Sequence, residues 1–213
     1  MGAVSLLANL VVLLSLSASP AQKPARRAGD LFDELYQRGL AKQRTLKSVR
    51  ASFTETTVST LLVKPIVARG TVIAAPPARV RMTYVEPEAK TITMDGRLLV
   101  VAWPARGERQ QIDIRDMKER IDKYFTSASP DELRKLFEVT AEPDASLRNA
   151  DRVTMIPKRK QIKQGMERLD LWIDRQLEQM VQMRLSFPGG DQKTIVLHDI
   201  VENVPFTDET FQP

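Results

Sequence analysis

The chain has 213 residues, 42% of them hydrophobic and 28% charged, with 13 Pro, 9 Gly and no Cys. That length carries one domain or two small ones, and the composition excludes a collagen-like, disulfide-framed or wholly disordered chain. The lack of cysteine removes thiolate nucleophiles, redox pairs, thiolate metal sites and a lipid-modified N-terminal cysteine, while a net charge of +5 suits an acidic partner or an anionic membrane as well as nucleic acid.

Leu6 to Leu16 form a mostly apolar run of eleven residues, well short of the roughly 20 residues of a membrane-spanning helix. Ser19-Pro20-Ala21 follows with small residues at both ends. Residues 1–21 therefore read as a secretory signal, although no Lys or Arg precedes the run and only the Met1 amine supplies positive charge there. Residues 22–29 (QKPARRAG) read as a flexible, basic mature N-terminus.

Residues 30–213 read as one domain. Asp30 is placed to cap a helix carrying Leu31, Leu35 and Leu40 along one side. From Val49 the period falls to two, with Val49, Ala51 and Phe53 alternating with Arg50, Ser52 and Thr54, as in a half-buried strand. Further strands are predicted at 66–75, 79–85, 91–95, 97–103, 110–115, 137–141, 152–156, 167–173, 179–187 and 194–202, with Pro- and Gly-bearing turn signals in several of the gaps. Such close spacing leaves no room for parallel crossovers, so the sheet should be antiparallel. Ser129-Pro130-Asp131-Glu132 is a capping box that should start a short helix ending near Leu136. Met117 to Phe125 also reads as helical, with Ile121 and Phe125 four apart. The expected fold is α+β and predominantly β: a strongly curved antiparallel sheet, or open half-barrel, of about eleven strands with a few covering helices.

Alternation places Val80, Met82 and Tyr84 on one face of their strand, and likewise Leu99, Val101 and Trp103. Leu169, Leu171 and Ile173 share a face, as do Val181, Met183, Leu185 and Phe187. With Phe53 and Val72 these residues make a broad apolar surface, and few helices are available to cover it. Either the helices complete an ordinary core, or they leave an apolar cavity for a greasy ligand. Met82, Met180 and Met183 add adaptable side chains to such a lining.

Catalytic signals are missing. His198 is the only histidine, no G-x-S-x-G occurs, and Asp199 beside it is expected on the opposite face of its strand. One His and no Cys provide no metal site, and no glycine loop is built to cradle phosphate. Glu86 and Glu88 flank a proline turn and read as solvated. No enzyme, cofactor or metal is expected. The densest charge run holds Lys158, Arg159, Lys160 and Lys163 between two predicted strands. It is either a solvated hairpin loop or a contact for anionic headgroups or an acidic partner. Nucleic acid is not expected, because the chain is exported and lacks an aromatic-bearing RNA-binding signature.

Several segments, taken in order, resemble the LolA family of periplasmic lipoprotein carriers. They are Leu46-Lys47-Ser48-Val49-Arg50-Ala51-Ser52-Phe53-Thr54-Glu55, Gly70-Thr71-Val72, Pro77-Ala78-Arg79-Val80-Arg81-Met82-Thr83-Tyr84, Asp95-Gly96-Arg97-Leu98-Leu99, and Asn203-Val204-Pro205-Phe206-Thr207-Asp208-Glu209-Thr210-Phe211. The resemblance covers residues 31–213. It implies an open β-barrel with helices as a lid over a cavity for lipoprotein acyl chains. It also implies a periplasmic shuttle that takes cargo from an inner-membrane ABC exporter to an outer-membrane acceptor. A monomer is expected. Some family members carry an Arg, tied to lid closure, where this chain reads Ala75-Pro76-Pro77. The family's Trp in the next strand is Met82, and aromatics expected after Asp95-Gly96-Arg97 are Val100 and Ala102, with Trp103 one place on. Carriage of another lipid or glycolipid, and a lipid- or lipoprotein-sensing regulatory role, are the alternative functions for the same fold.

Overall fold

The computed structural model describes residues 30–76, 78–115, 129–147 and 149–212. The signal segment, the basic tail and the helix expected at Met117 to Phe125 lie outside the described residues. The first helix, α1 (Leu31–Gln43), precedes strands β1 (Val49–Val58), β2 (Ile66–Ala75), β3 (Arg79–Glu86), β4 (Lys90–Met94), β5 (Leu98–Trp103) and β6 (Glu108–Asp113). Then come α2 (Pro130–Leu136), β7 (Phe137–Pro143), β8 (Ala150–Pro157), the single turn α3 (Lys160–Lys163), β9 (Arg168–Asp174), β10 (Met180–Ser186) and β11 (Gln192–Glu202).

All eleven strands belong to one antiparallel sheet, ordered β6-β5-β4-β3-β2-β1-β11-β10-β9-β8-β7. Two meanders thus meet at the centre, where the first strand pairs with the last and Phe53 lies opposite Leu197. Asp30 caps α1 as its sequence position indicates, accepting from the Phe32 N–H at 2.9 Å. Ser129 and Glu132 close the expected capping box on α2.

One face of the sheet carries a continuous apolar cluster. Phe53, Val80, Met82, Tyr84, Leu99, Leu169, Met183 and Leu185 are each at most 2% exposed within it. Phe32 and Leu35 of α1 and Leu133 and Leu136 of α2 pack onto the same cluster. Of the expected stripe, Leu35 is buried and Leu31 packs against the cluster, joined by Phe32, while Leu40 is half-buried and not part of it.

Gly70 is required where three strands cross this face. It pairs with Phe53 on one side and Tyr84 on the other. The two rings meet over it edge to face, with centroids 4.9 Å apart. A Cβ at this glycine would lie 2.1 Å from the Thr83 carbonyl oxygen and 2.9 Å from Phe53 Cζ.

Two irregularities break the simple alternation. The β10–β9 register shifts between Met180 and Gln182. Met180 consequently joins the cluster, whereas Val181, expected in phase with Met183, is half-buried and not among the residues packed there. The β1–β11 register shifts beside Asp199, whose φ of 52° is left-handed. Asp199 therefore does not simply face away from His198, as plain alternation predicts. The Ser52 hydroxyl donates to Asp199 Oδ2 at 2.9 Å, and His198 Nε2 lies 3.3 Å from Thr54 Oγ1 on the same strand face.

The opposite face of β3 holds the C-terminal segment. Arg79 donates to Asp208 at 2.9 Å, with its guanidinium 4.9 Å from the Phe206 ring centroid and 5.1 Å from that of Phe211. Arg81 donates to the Gln212 carbonyl at 2.9 Å. These two arginines fasten residues 206–212 to β3.

Candidate functional site

The sequence-predicted apolar residues separate by accessibility. Phe53, Val72, Val80, Met82, Tyr84, Leu99, Val101, Leu169, Met183, Leu185 and Phe187 are buried in the cluster, the last of them at 9% exposure. Trp103, Leu171 and Ile173 pack against it but keep accessible surface. Around the last two lies a half-open group that joins several strands of the β7–β10 half: Val139 and Ala141 on β7, Leu171 and Ile173 on β9, and Met180 on β10. Cross-strand pairing brings them together, since Leu171 is opposite both Val153 and Met183, and Ile173 is opposite Met180. A fully buried side chain already has protein neighbours on all sides. Accessible apolar surface on the core face is where a foreign hydrocarbon can make contact.

The helix α1 packs Leu31, Phe32, Leu35 and Tyr36 on the cluster and is held by ion pairs along its length. Phe32 and Leu35 are its only buried side chains. At its start, Arg134 of α2 bridges Asp30 and Asp33, the latter at 2.9 Å. Midway, Arg38 comes 3.9 Å from Asp151, which is held more closely by Arg175 at 2.7 Å. At its end, Lys42 pairs with Glu202 of β11 at 2.7 Å. Partly exposed pairs of this kind contribute at most about 1 kcal/mol each.

A polar group sits inside the core face, and the sequence reading missed it. Glu55 and Lys193 are 5% and 8% exposed. The Lys193 ammonium donates to Glu55 Oε1 at 2.8 Å, and the Tyr84 hydroxyl donates to Oε2 at 2.9 Å. The Lys90 ammonium lies 4.4 Å from the Tyr84 ring centroid. Burial, reinforced by the Glu55 carboxylate, pushes the Tyr84 hydroxyl far above its ordinary pKa, so it stays a donor. Burial also lowers the pKa of Lys90, opposed by Glu55. A signal for this group was present. Glu55 stands in phase with Ala51 and Phe53, and Lys193 with Ile195 and Leu197, so each charge falls at an apolar position of its strand.

The cationic run forms α3 and its approach. Lys158, Arg159, Lys160 and Lys163 are all exposed. Lys158 donates to the Arg134 carbonyl at 2.6 Å, which ties the run to the end of α2. Among the described residues Arg159, Lys160 and Lys163 have no acidic partner. No group of three or more metal-ligating residues occurs among the described residues, and no described helix is long and apolar enough to cross a membrane.

Known proteins place this architecture. A solved structure of an uncharacterised conserved protein from Thermus thermophilus matches with TM-score 0.53 and 11% identity, covering 84% of this chain and 90% of that one. The MucA/MucB complex of Pseudomonas aeruginosa matches with TM-score 0.51 and 11% identity, over 85% of this chain and 60% of the other. The LolA superfamily protein NE2245 from Nitrosomonas europaea gives TM-score 0.42 and 10% identity, covering 84% and 96%. At such identities the likeness is one of fold. No curated protein matches the chain. The family model of the outer membrane lipoprotein carrier protein LolA matches residues 44–213, from the end of α1 through every strand. The LolA family is periplasmic, and its carriers are not enzymes. A match over most of its length, on an antiparallel sheet whose one face is a continuous apolar wall, means that the chain belongs to the LolA family.

Proposed function

We propose that the mature protein is a periplasmic carrier, exported by the signal at residues 1–21 and formed by one domain over residues 30–213. It holds lipoprotein acyl chains against the core face of a sheet that curls around them, with α1 as the cover. Cargo passes from an inner-membrane ABC exporter to an outer-membrane acceptor. The supporting observation is the half-open apolar stretch of Val139, Ala141, Leu171, Ile173 and Met180 on the core face, beside a helix held by ion pairs as well as apolar packing. Each methylene removed from water stabilises by about 0.8 kcal/mol, so about ten supply roughly 8 kcal/mol, near micromolar affinity before ordering costs. No catalytic group is needed for holding. Release needs only the cover to move. The exposed cations at Lys158, Arg159, Lys160 and Lys163 then meet an acidic partner or membrane during transfer.

The test is purification from the native envelope followed by mass spectrometry of bound lipids and acylated proteins. Lipoproteins should co-purify. Another lipid or glycolipid alone would reassign the cargo, and an empty protein would refute carriage. Leu171→Arg and Ile173→Arg should abolish cargo binding with the fold intact. Tyr84→Arg and Leu185→Arg do not serve, because those side chains are 1% and 2% exposed and belong to the core.

A further inference from the structure

Because the strands alternate in direction, the β1–β2, β3–β4, β8–β9 and β10–β11 turns lie at one end of the sheet. At that end the protein displays aliphatic side chains to water. Val63 is 107% exposed and Leu61 91%, with Val85 at 63%, Ile66 at 45% and Val58 at 42%. Val85 belongs to the same group because it is the unpaired residue of a register shift, with Arg69 opposite Glu86 and Gly70 opposite Tyr84.

The β1–β2 turn is built and held. The Leu61 N–H donates to Ser59 Oγ at 3.2 Å and the Leu62 N–H to the Ser59 carbonyl at 3.1 Å. The Thr60 N–H donates to Asp191 Oδ1 of the β10–β11 turn at 3.3 Å. Leu62 is half-buried, which leaves Leu61 and Val63 pointing outward from a supported backbone. A folding role needs these two side chains covered, and they are not. Apolar surface displayed in this way marks an interaction site.

Charge identifies the partner. Lys64 is exposed at the tip and has no acidic partner among the described residues. The run from Lys158 to Lys163 leaves the sheet at the same end, between β8 and β9, and β9 stands three strand spacings from β1, about 15 Å. Of the acidic residues there, Glu86 pairs with Arg69 and Glu88 with Arg106; Asp191 accepts from the Thr60 N–H and Glu167 is exposed before β9, so Lys64, Lys158, Arg159, Lys160 and Lys163 leave this end with an excess of cations. Protein interfaces are depleted in Lys and anchored by Trp, Tyr and Arg. Aliphatic tips flanked by lysines instead match a bilayer, with apolar side chains at the acyl boundary and cations at the headgroups.

We propose that the β1–β2 turn is a membrane-docking tip. Leu61 and Val63 enter the interfacial layer of an anionic phospholipid bilayer, while Lys64 and the cations of the β8–β9 connection stay at headgroup level. This deepens the carrier reading and rests on it, since a carrier loads or delivers where it touches a membrane.

The full chain, purified from its host's envelope, is floated with vesicles of phosphatidylglycerol and phosphatidylcholine in equal parts, and with phosphatidylcholine alone. Wild type should float with the anionic vesicles. Leu61→Ser/Val63→Ser should weaken partitioning about tenfold or more. Lys160→Gln/Lys163→Gln should weaken it about fivefold per charge on anionic vesicles and leave the neutral ones unaffected. The chain has no cysteine, so Val63→Cys carrying an environment-sensitive dye reports the tip alone, and its emission should shift to the blue on docking. Wild type that stays in solution beside anionic vesicles, a serine variant that floats like wild type, or a dye still in water on floated protein each overturns the proposal. Titration with a fluorescent fatty acid in solution reads the carrier function separately. The serine variant should take it up as wild type does; failure of wild type to bind it would sink carriage without touching the docking result.

Discussion

The Glu55–Lys193 pair offers a direct test of how the core face is stabilised. Glu55→Gln keeps the shape and still accepts from Tyr84, but leaves the Lys193 ammonium without an anion in an apolar layer where its side chain is only 10% accessible. Removing one member of a buried pair costs about 3–5 kcal/mol, chiefly from the uncompensated charge left behind. For a domain of this size 3 kcal/mol lowers Tm by roughly 10 °C. Lys193→Met should cost a similar amount, since the Glu55 carboxylate is then left with the Tyr84 hydroxyl. The double variant Glu55→Gln/Lys193→Met removes both charges and should be at least about 2 kcal/mol more stable than the sum of the single effects predicts. Equilibrium urea unfolding, followed by the fluorescence of Trp103 and Trp172, measures all three. If the single losses simply add, or each stays below about 0.5 kcal/mol, the two charges are not compensating one another in a dry interior and the reasoning fails.

Gly70→Ala should destabilise by about 2 kcal/mol or more, because the new methyl meets the Thr83 carbonyl at 2.1 Å and a backbone atom cannot yield cheaply; thermal unfolding measures it. Asp144 accepts from the Ser146 hydroxyl, the Leu147 N–H and the Trp172 indole, and these bonds, Ser146 foremost, hold its carboxyl well below the usual carboxylate range. A depressed carboxyl stabilises the fold above its unfolded value near 4 and loses that contribution as pH falls through its folded value. Asp144→Asn should therefore cost about 2 kcal/mol at neutral pH and progressively less below about pH 4; an equal loss at both ends of the range refutes the assignment. Arg134→Ala frees the start of α1, so amide exchange in that helix should speed up about fivefold while β1 and β11 keep their protection, as hydrogen-exchange mass spectrometry can read.

Much of the fold is legible in the chain. Alternation and turn signals locate all eleven strands to within two residues at nearly every end, most plainly where one face is buried and the other wet, as in β1, β3 and β11. Caps locate α1 and α2, because Asp30 and the Ser129–Glu132 box satisfy backbone N–H groups that only a helix start leaves free, whereas the single turn α3 has no side-chain cap and reads as a loop. Most departures come from non-local geometry. The shift beside Asp199 depends on β1, about 150 residues away, while the one at Met180 is a local irregularity of the β9–β10 hairpin that alternation alone does not show. The buried charges of Glu55 and Lys193 compensate each other across 138 residues of sequence, so each looks anomalous alone. Which apolar residues are sealed and which half-open depends on where α1 comes down, and that is fixed by distant Arg134, Asp151 and Glu202.

The central pairing of β1 with β11 sets the order of assembly. Each meander can form from contacts close in sequence, but the seam between them joins the first strand made to the last, nearly 150 residues later. Loop closure over such a span delays the joining step. Until β11 arrives, Phe53 on one half and Leu185 on the other both face an unfinished border. The nascent molecule therefore stays pliable until its final strand is available, and any product truncated before Gln192 lacks the piece that locks the halves together.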